Sequence, residues 1–159
     1  MRQAPENFIE KDAIKAWRIT ALIPFSIIWI VFIVLTVLAA KFSFSLWIVL
    51  VAWAVLAIVT YFCIILIPAV RWKRWRYQVF DQEIYIQHGI IIVTRTIVPM
   101  IRVQHVDTQQ GPILKRFDLA TVTISTAATT HEIPAVNEGQ ASHLRDRISE
   151  LARVDEDDV

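Results

Sequence analysis

Two long apolar runs constrain this chain more than any other feature. Between residues 19 and 70 of a sequence of 159 residues the only charged side chain is Lys41, which separates an uncharged run of 22 residues from one of 29. At 1.5 Å rise per residue, the first run is long enough to span the roughly 30 Å hydrocarbon core of a bilayer, and the second is longer still. The runs lack the polar face of a core helix in a soluble protein. Residues 19–70 are therefore predicted to form a transmembrane helical hairpin, with helices at about 19–40 and 45–68.

The distribution of lysine and arginine predicts the orientation of this hairpin. The two flanks carry eight of these residues, whereas the connecting loop carries Lys41 alone. By the positive-inside rule both termini lie in the cytoplasm. Residues 71–76, here called the juxtamembrane exit, contain four basic and two aromatic side chains and suit the headgroup region of an anionic leaflet. The predicted membrane-interface residues are Trp17, Arg18, Arg71, Trp72, Lys73, Arg74, Trp75 and Arg76.

Two further tryptophans, Trp29 and Trp53, fall deep within the apolar runs. Each either faces lipid as apolar bulk or packs against the partner helix, where its indole N–H finds an acceptor; the sequence favours the first. The N-terminal segment 1–18 places Phe8, Ile9 and Trp17 near one helical face, which is typical of an interfacial amphipathic helix. A simple helical extension of the first span explains the same pattern.

From residue 77 the periodicity changes to that of short strands. Residues 83–88 alternate between polar and apolar and predict a strand with one buried face, and the apolar run 90–98 predicts another strand. Asn137 is a suitable N-cap for an amphipathic helix. We predict a domain over 77–152, built as a bent antiparallel sheet or partly open barrel capped by this helix. The acidic tail 153–159 is predicted to be disordered.

An ordered series of motifs across residues 97–127 resembles a known family. The series comprises Val-Pro at 98–99, Arg-Val-Gln-His-Val at 102–106, Gln-Gly-Pro-Ile at 110–113, Arg-Phe-Asp-Leu-Ala at 116–120 and Thr-Ile-Ser-Thr-Ala at 123–127. It resembles the bacterial pleckstrin-homology-like (PH-like) domain of membrane proteins of the YdbS type, and with the apolar hairpin the resemblance covers about residues 13–151. Asp118 departs from it, since glycine is expected there, but aspartate tolerates a left-handed turn. The resemblance implies a PH-like fold, a bacterial cytoplasmic-membrane location, no enzymatic activity and a second membrane protein with several such domains as partner.

The candidate site residues are basic and polar side chains of the same stretch. We predict a surface for a lipid headgroup or a partner peptide formed by Arg102, Gln104, His105, Lys115 and Arg116. Strand alternation places Arg102 and Gln104 on one face and His105 on the other. The alternative, which the sequence favours, is that Gln104 and His105 bond backbone groups around the turn at Gly111 and Pro112.

No catalytic or cofactor-binding constellation is recognisable in the sequence. The four histidines lack metal-ligand spacing, and the lone Cys63 excludes an intrachain disulfide. The domain has no extended basic face for nucleic acid. The leading hypothesis is an integral membrane scaffold without cofactor, in contact with anionic lipid and with a multi-pass PH-like partner or a second copy of itself. The alternative is a headgroup-sensing module of an envelope-stress or export system.

Overall fold

The computed structural model describes residues 4–42 and 45–157, with side chains described up to residue 153. The described chain forms two compact units. One contains residues 17–69 and is called the hairpin. The other, called the domain, joins the N-terminal residues up to 16 with residues 70 onward.

The hairpin contains most of helix α1 (Ala13–Lys41), helix α2 (Leu46–Tyr61) and a π-helical turn (Phe62–Leu66). The turn leads into helix α3 (Ile67–Arg74), whose last residues belong to the domain. Helix α1 and the continuous helical segment Leu46–Arg74 are each long and apolar enough to cross a membrane, and their apolar windows are almost entirely unburied. The π-helical turn lies just before Pro68, whose ring would clash with the carbonyl four residues earlier in a regular α-helix. Residues 43–44, in the predicted connecting loop, lie outside the described residues.

Two tryptophan–threonine pairs join the helices of the hairpin. The indole Nε1 of Trp29 donates to Thr60 Oγ1 at 3.2 Å, and that of Trp53 donates to Thr36 Oγ1, also at 3.2 Å. Each threonine hydroxyl in turn donates to the carbonyl four residues earlier in its own helix. The Trp29 and Trp53 rings also contact each other, 5.3 Å between centroids. The two tryptophans therefore face the opposite helix, and the favoured prediction that they face lipid is wrong.

The domain contains two antiparallel sheets. Sheet A has the strand order β1 (Asn7–Phe8), β2 (Arg76–Val79), β3 (Glu83–His88) and β4 (Thr94–Pro99). A 3₁₀ turn at Met100–Arg102 carries the chain into sheet B, which has the order β5 (Val103–Gln109), β6 (Leu119–Thr126) and β7 (Thr130–Asn137). A short helix α4 (Pro112–Lys115) lies between β5 and β6. The sheets do not join into a closed barrel.

Helix α5 (Glu138–Asp157) packs on sheet B and on the 3₁₀ turn. The side-chain Oδ1 of Asn137 accepts a hydrogen bond from the Gly139 N–H at 3.1 Å, which confirms the predicted N-cap. Ala141 and Ile148 of this helix are fully buried, and the core opposite them consists of branched aliphatic side chains, chiefly Val122, Ile124, Ile133 and Val136. The predicted architecture, antiparallel strands capped by a C-terminal helix, is confirmed.

Several elements differ from the sequence-based expectation. Residues 7–8 form an edge strand of sheet A where an interfacial helix was expected, because β2 offers them backbone partners. The predicted strand at 90–98 begins only at Thr94. Strand β3 is buried on both faces, since Tyr85 and Gln87 are covered as well as Ile84 and Ile86. Helix α5 continues through Asp157 into the segment expected to be disordered, whose last two residues lie outside the described part of the chain.

Candidate functional site

A groove lies where the chain passes from sheet A to sheet B. It has a volume of about 1020 Å³. Its walls are the end of β4, the start of β5, the turn between β6 and β7, and the C-terminal half of α5, which contributes Ser149, Ala152 and Arg153. Much of the motif series that carries the family resemblance lies here, since residues 98–99, 102–106 and 126–127 all line the groove.

The groove is cationic. Its polar lining includes two arginines and two histidines, Arg102, His105, His131 and Arg153, and among the side chains described, those up to residue 153, no aspartate or glutamate lines it. With neutral histidines the lining therefore carries a formal charge of two positive units. An anionic or hydrogen-bond-accepting ligand fits such a lining better than a cationic one.

A bulge at the start of β5 brings the predicted site residues to the groove. The register between β5 and β6 shifts between Val103 and His105, so Gln104 is the extra residue on this strand. A bulge interrupts the alternation by which successive side chains of a strand point to opposite faces of the sheet. Gln104 and His105 are consequently both exposed and both line the groove together with Arg102. The prediction that His105 points to the opposite face is therefore wrong.

Strands β4 and β5 flank the groove with free edges. Sheet A ends at β4 and sheet B ends at β5, and within residues 4–42 and 45–157 no further strand pairs with either edge. Such an edge presents unpaired backbone N–H and C=O groups, which an added extended segment can satisfy. Pro99 at the end of β4 lacks a donor and limits where pairing can occur.

The turn between β6 and β7 forms a rigid rim of the groove. The Thr126 hydroxyl donates to the Thr129 carbonyl at 2.8 Å and accepts from the Thr129 N–H at 3.0 Å. The Thr129 hydroxyl lies 3.0 Å from His131 Nε2, which holds the imidazole at the rim. The sequence does not predict that His131 lies at the groove, because its position depends on the tight turn between β6 and β7.

The remaining predicted surface residues lie away from the groove. Lys115 ends α4 and Arg116 follows it; both are exposed, and neither lines the groove. The turn at Gly111 is held by Gln110, whose Nε2 donates to Leu119 O at 3.0 Å and to Glu138 Oε2 at 3.1 Å. His105 instead has its imidazole 3.8 Å from the Asp107 carboxylate. Gln110 therefore has the structural role that the alternative prediction gave to Gln104 and His105.

Several aromatic and basic side chains of the juxtamembrane exit pack within the domain. Trp72 Nε1 donates to the Ile9 carbonyl at 3.0 Å, and its ring stacks on Phe8. The Arg76 guanidinium lies 4.2 Å over the same Phe8 ring. Trp75 is buried and stacks on His88 with 5.3 Å between ring centroids, so it is not an exposed interface anchor. Lys73 is exposed.

Trp17 and Arg18, the other two predicted interface residues, lie in α1 and are half-buried. Tyr77 follows the exit in β2 and is buried against the N-terminal segment. Burial raises the pKa of the Tyr77 phenol, and the nearby Glu10 carboxylate raises it further. Among the side chains described here, no three His, Cys, Asp or Glu residues cluster as a metal site requires.

Comparison with known proteins places this architecture in a family. The family pattern described as Bacterial PH domain matches residues 19–152, which include both apolar runs and the domain from residue 70 to residue 152. The chain belongs to this family. It is 50% identical to the UPF0699 transmembrane protein YdbS of Bacillus subtilis (strain 168) over all 159 residues, which cover the whole of both chains. It is thus a membrane protein of the UPF0699 type with a PH domain, as the motif series predicts.

A second relative shares only part of the chain. The UPF0699 transmembrane protein YdbT of Bacillus subtilis (strain 168) is 27% identical over 81 residues, which cover 51% of this chain and 16% of YdbT. No solved structure matches the chain. The two comparisons concern proteins named for their membrane location, and neither name states a ligand or a reaction.

Proposed function

We propose that this PH-domain protein is a membrane-anchored docking protein without enzymatic activity. It lies in the bacterial cytoplasmic membrane as a two-span protein with both termini in the cytoplasm. Its groove binds an extended, acidic segment of another membrane protein. The observation that carries the proposal is a groove that combines two free sheet edges with a cationic lining, in which the described side chains include no carboxylate.

The free edges favour a peptide over a small molecule. An extended segment added to β4 or β5 gains backbone hydrogen bonds, and its side chains reach the groove walls alternately. Arg102 and Arg153 would pair with carboxylates of that segment, which gives the interaction its charge selectivity. The exposed Gln104 offers both donors and acceptors for the remaining polar groups.

The first candidate partner is a membrane protein of the YdbT type. Its similarity to part of this chain supports a shared ancestry, and a related protein in the same membrane is a plain candidate for assembly with this one. Self-association through the same groove is the other arrangement. In either case the hairpin confines this protein to the same membrane as its partner, which raises the effective concentration of each protein for the other. The orientation rests on the eight basic flanking residues against one in the loop.

Headgroup sensing in an envelope-stress or export system is the second candidate function. The same cationic lining suits a lipid phosphate, because arginine binds phosphate as readily as carboxylate. The two functions differ in what lies within reach of the groove. A photoreactive residue inside the groove therefore separates them.

The test uses the full chain, co-expressed with a YdbT-type protein and extracted from bacterial membranes in polymer discs. A photoreactive phenylalanine derivative replaces Gln104, which is exposed inside the groove. Docking predicts a crosslink to protein, either the co-expressed partner or a second copy of the chain. A crosslink that captures lipid alone contradicts docking and favours headgroup sensing.

Charge reversal tests the electrostatic part of the proposal. The double variant Arg102→Glu, Arg153→Glu is expected to reduce the partner recovered by affinity purification about tenfold, which corresponds to ~1.4 kcal/mol. The matched control is Lys115→Glu, Arg116→Glu, which makes the same change in net charge outside the groove. Equal losses in both double variants would show that net charge, and not the groove, determines recovery.

A further inference from the structure

The loop between β3 and β4 carries an exposed apolar cluster that the groove does not include. Residues 90–93, here called the apolar tip, are three isoleucines and a valine. Ile91 is 90% exposed and Ile92 is 79% exposed, while Ile90 and Val93 remain partly exposed. Adjacent branched aliphatic side chains that are exposed to this extent in the loop between β3 and β4 mark a contact surface.

The tip has a defined backbone conformation. Gly89 at its base has φ +135°, a region that residues with a side chain rarely adopt. A Cβ at this position would lie 1.9 Å from the Ile92 carbonyl oxygen, so the loop closes directly over the glycine. The isoleucines are therefore presented by a closed loop whose geometry depends on Gly89.

Three contacts tie the tip region to the juxtamembrane exit. Arg74 Nη1 donates to the Ile91 carbonyl at 3.2 Å. Gln87 Nε2 donates to the Arg74 carbonyl at 3.4 Å, and His88 at the end of β3 stacks on Trp75. The apolar tip thus lies beside the last residues of α3.

Arg74, whose side chain bonds to the tip, lies close in sequence to the end of the apolar run. Arg74 follows Val70, the last residue of the apolar run, by one turn of α3, about 6 Å along its axis. An arginine that close to the end of a membrane helix belongs to the headgroup layer. A side chain that projects from a loop held by Arg74 is within reach of the same layer.

The charges around the tip suit an anionic leaflet. Residues 84–98 contain no aspartate or glutamate, and their one permanent charge is Arg95. The exit next to them carries four basic residues. Of these four, Arg74 contacts the tip directly. Apolar side chains beside basic ones are typical of segments that insert shallowly into anionic membranes.

We propose that the apolar tip inserts the side chains of Ile91 and Ile92 into the outer part of the acyl-chain region of the leaflet that anchors the domain. The tip is a second membrane contact, distinct from the hairpin and independent of whatever binds in the groove. The tip contacts lipid, and not another protein, because Arg74 bonds to the tip and follows the end of the membrane helix by one turn. The contact would hold the end of sheet A at the membrane surface.

Depth-dependent quenching tests this insertion. In the full chain with Cys63→Ser, the variant Ile91→Cys carries an environment-sensitive fluorophore, and the protein is reconstituted without partners into vesicles of zwitterionic and anionic phospholipid. Insertion predicts that the attached fluorophore emits at a shorter wavelength than the same fluorophore free in aqueous buffer. It also predicts that the fluorescence intensity falls when the lipids carry a nitroxide on the upper part of the acyl chain.

The matched control is Gln82→Cys in the same background, because Gln82 is exposed at the opposite end of β3. Six strand residues separate the two ends by roughly 20 Å, so the control label should not respond to the acyl nitroxide. Ile92→Cys repeats the measurement one residue away in case the label disturbs position 91. If the acyl-chain nitroxide quenches neither the label at position 91 nor the label at position 92, the proposal is overturned. This holds whether the emission wavelength indicates a label exposed to water or one covered by protein.

Discussion

At the scale of single residues, Tyr77 links the pH dependence of the domain to the N-terminal segment. Its phenol is buried, and burial together with the Glu10 carboxylate raises its pKa above the ordinary value of 10.0. In the unfolded chain the phenol ionises near its ordinary pKa, so above pH of about 10 the unfolded state binds fewer protons than the folded state. The contribution of Tyr77 to stability is therefore complete below that pH and is lost as the pH rises through the folded-state pKa.

Tyr77→Phe is expected to remove this contribution to the pH dependence. Because phenylalanine does not ionise, the unfolding free energy of the wild type should fall relative to that of the variant as the pH rises above about 10. Denaturant unfolding in micelles at a series of pH values, followed by tryptophan fluorescence, measures the difference. Glu10→Gln should show a smaller pH dependence than the wild type. A constant difference between wild type and Tyr77→Phe would contradict the assignment.

Individual backbone conformations also decide where side chains point. Asp118 has φ 53°, a left-handed conformation that fits a position where the motif resemblance leads us to expect glycine. Ala135 has φ 51° and is fully buried next to the register shift between β6 and β7, and its carbonyl accepts the Glu10 N–H at 3.1 Å. The first conformation is suggested by the residue type. The second is not, because alanine rarely adopts it and only the strand pairing requires it.

At the scale of elements, the helices of the hairpin are held by two indole–hydroxyl hydrogen bonds between apolar surfaces. The hydrophobic effect does not drive helix association inside lipid, so packing and hydrogen bonds must do so. The Trp53 ring lies 5.3 Å from the Trp29 ring and 5.4 Å from the Phe32 ring, which adds aromatic packing to its hydrogen bond. These contacts explain the tryptophans that stand deep in each apolar run.

Trp29→Phe and Trp53→Phe are each expected to destabilise the hairpin by about 0.6 kcal/mol, the average for a hydrogen bond between membrane helices. The aromatic ring is kept, and the indole donor to Thr60 or Thr36 is lost. Thermal unfolding in detergent micelles provides the measurement. Trp47→Phe is the control, since Trp47 is exposed near the start of α2. An equal loss at position 47 would show that the effect is not due to the inter-helix bonds.

At the scale of the whole molecule, the domain is completed by residues from both sides of the hairpin in sequence. The N-terminal segment supplies β1, places Ile9 in the core and receives a hydrogen bond from Trp72. It also bonds to β7 through the Glu10 N–H. The hairpin is thus inserted, in sequence, between two parts of one folded domain.

Ile9→Ala is accordingly expected to destabilise the domain by about 2–4 kcal/mol, because it leaves a cavity at a fully packed position. Hydrogen exchange of the full chain should show faster exchange of the β2 amides that pair with β1 and of amides in β7. Ile101→Ala removes the same atoms from an exposed side chain and serves as the control. Unchanged exchange in Ile9→Ala would mean that the N-terminal segment does not stabilise the domain.

The candidate site was predictable in part. The residues Arg102, Gln104 and His105 were identified from an ordered motif series, and the groove contains all three. Their common exposure, however, results from a bulge whose position depends on the pairing of β5 with β6. His131 and Arg153 were not predicted, because a turn and a helix end distant in sequence bring them to the same groove.

The sequence by itself determined the apolar hairpin, the family and the order of strands and C-terminal helix. These follow from hydropathy, periodicity and an ordered motif series, which are local or linear properties of the chain. Only the tertiary structure decided that the N-terminal segment forms a strand, that Trp75 is buried and that residues 90–93 form an exposed tip. Each of these depends on which distant backbone or side chain covers the residue. Long apolar runs therefore predict the hairpin correctly, whereas the shorter apolar run 90–93 predicts a strand that does not form, because no described strand pairs with these residues.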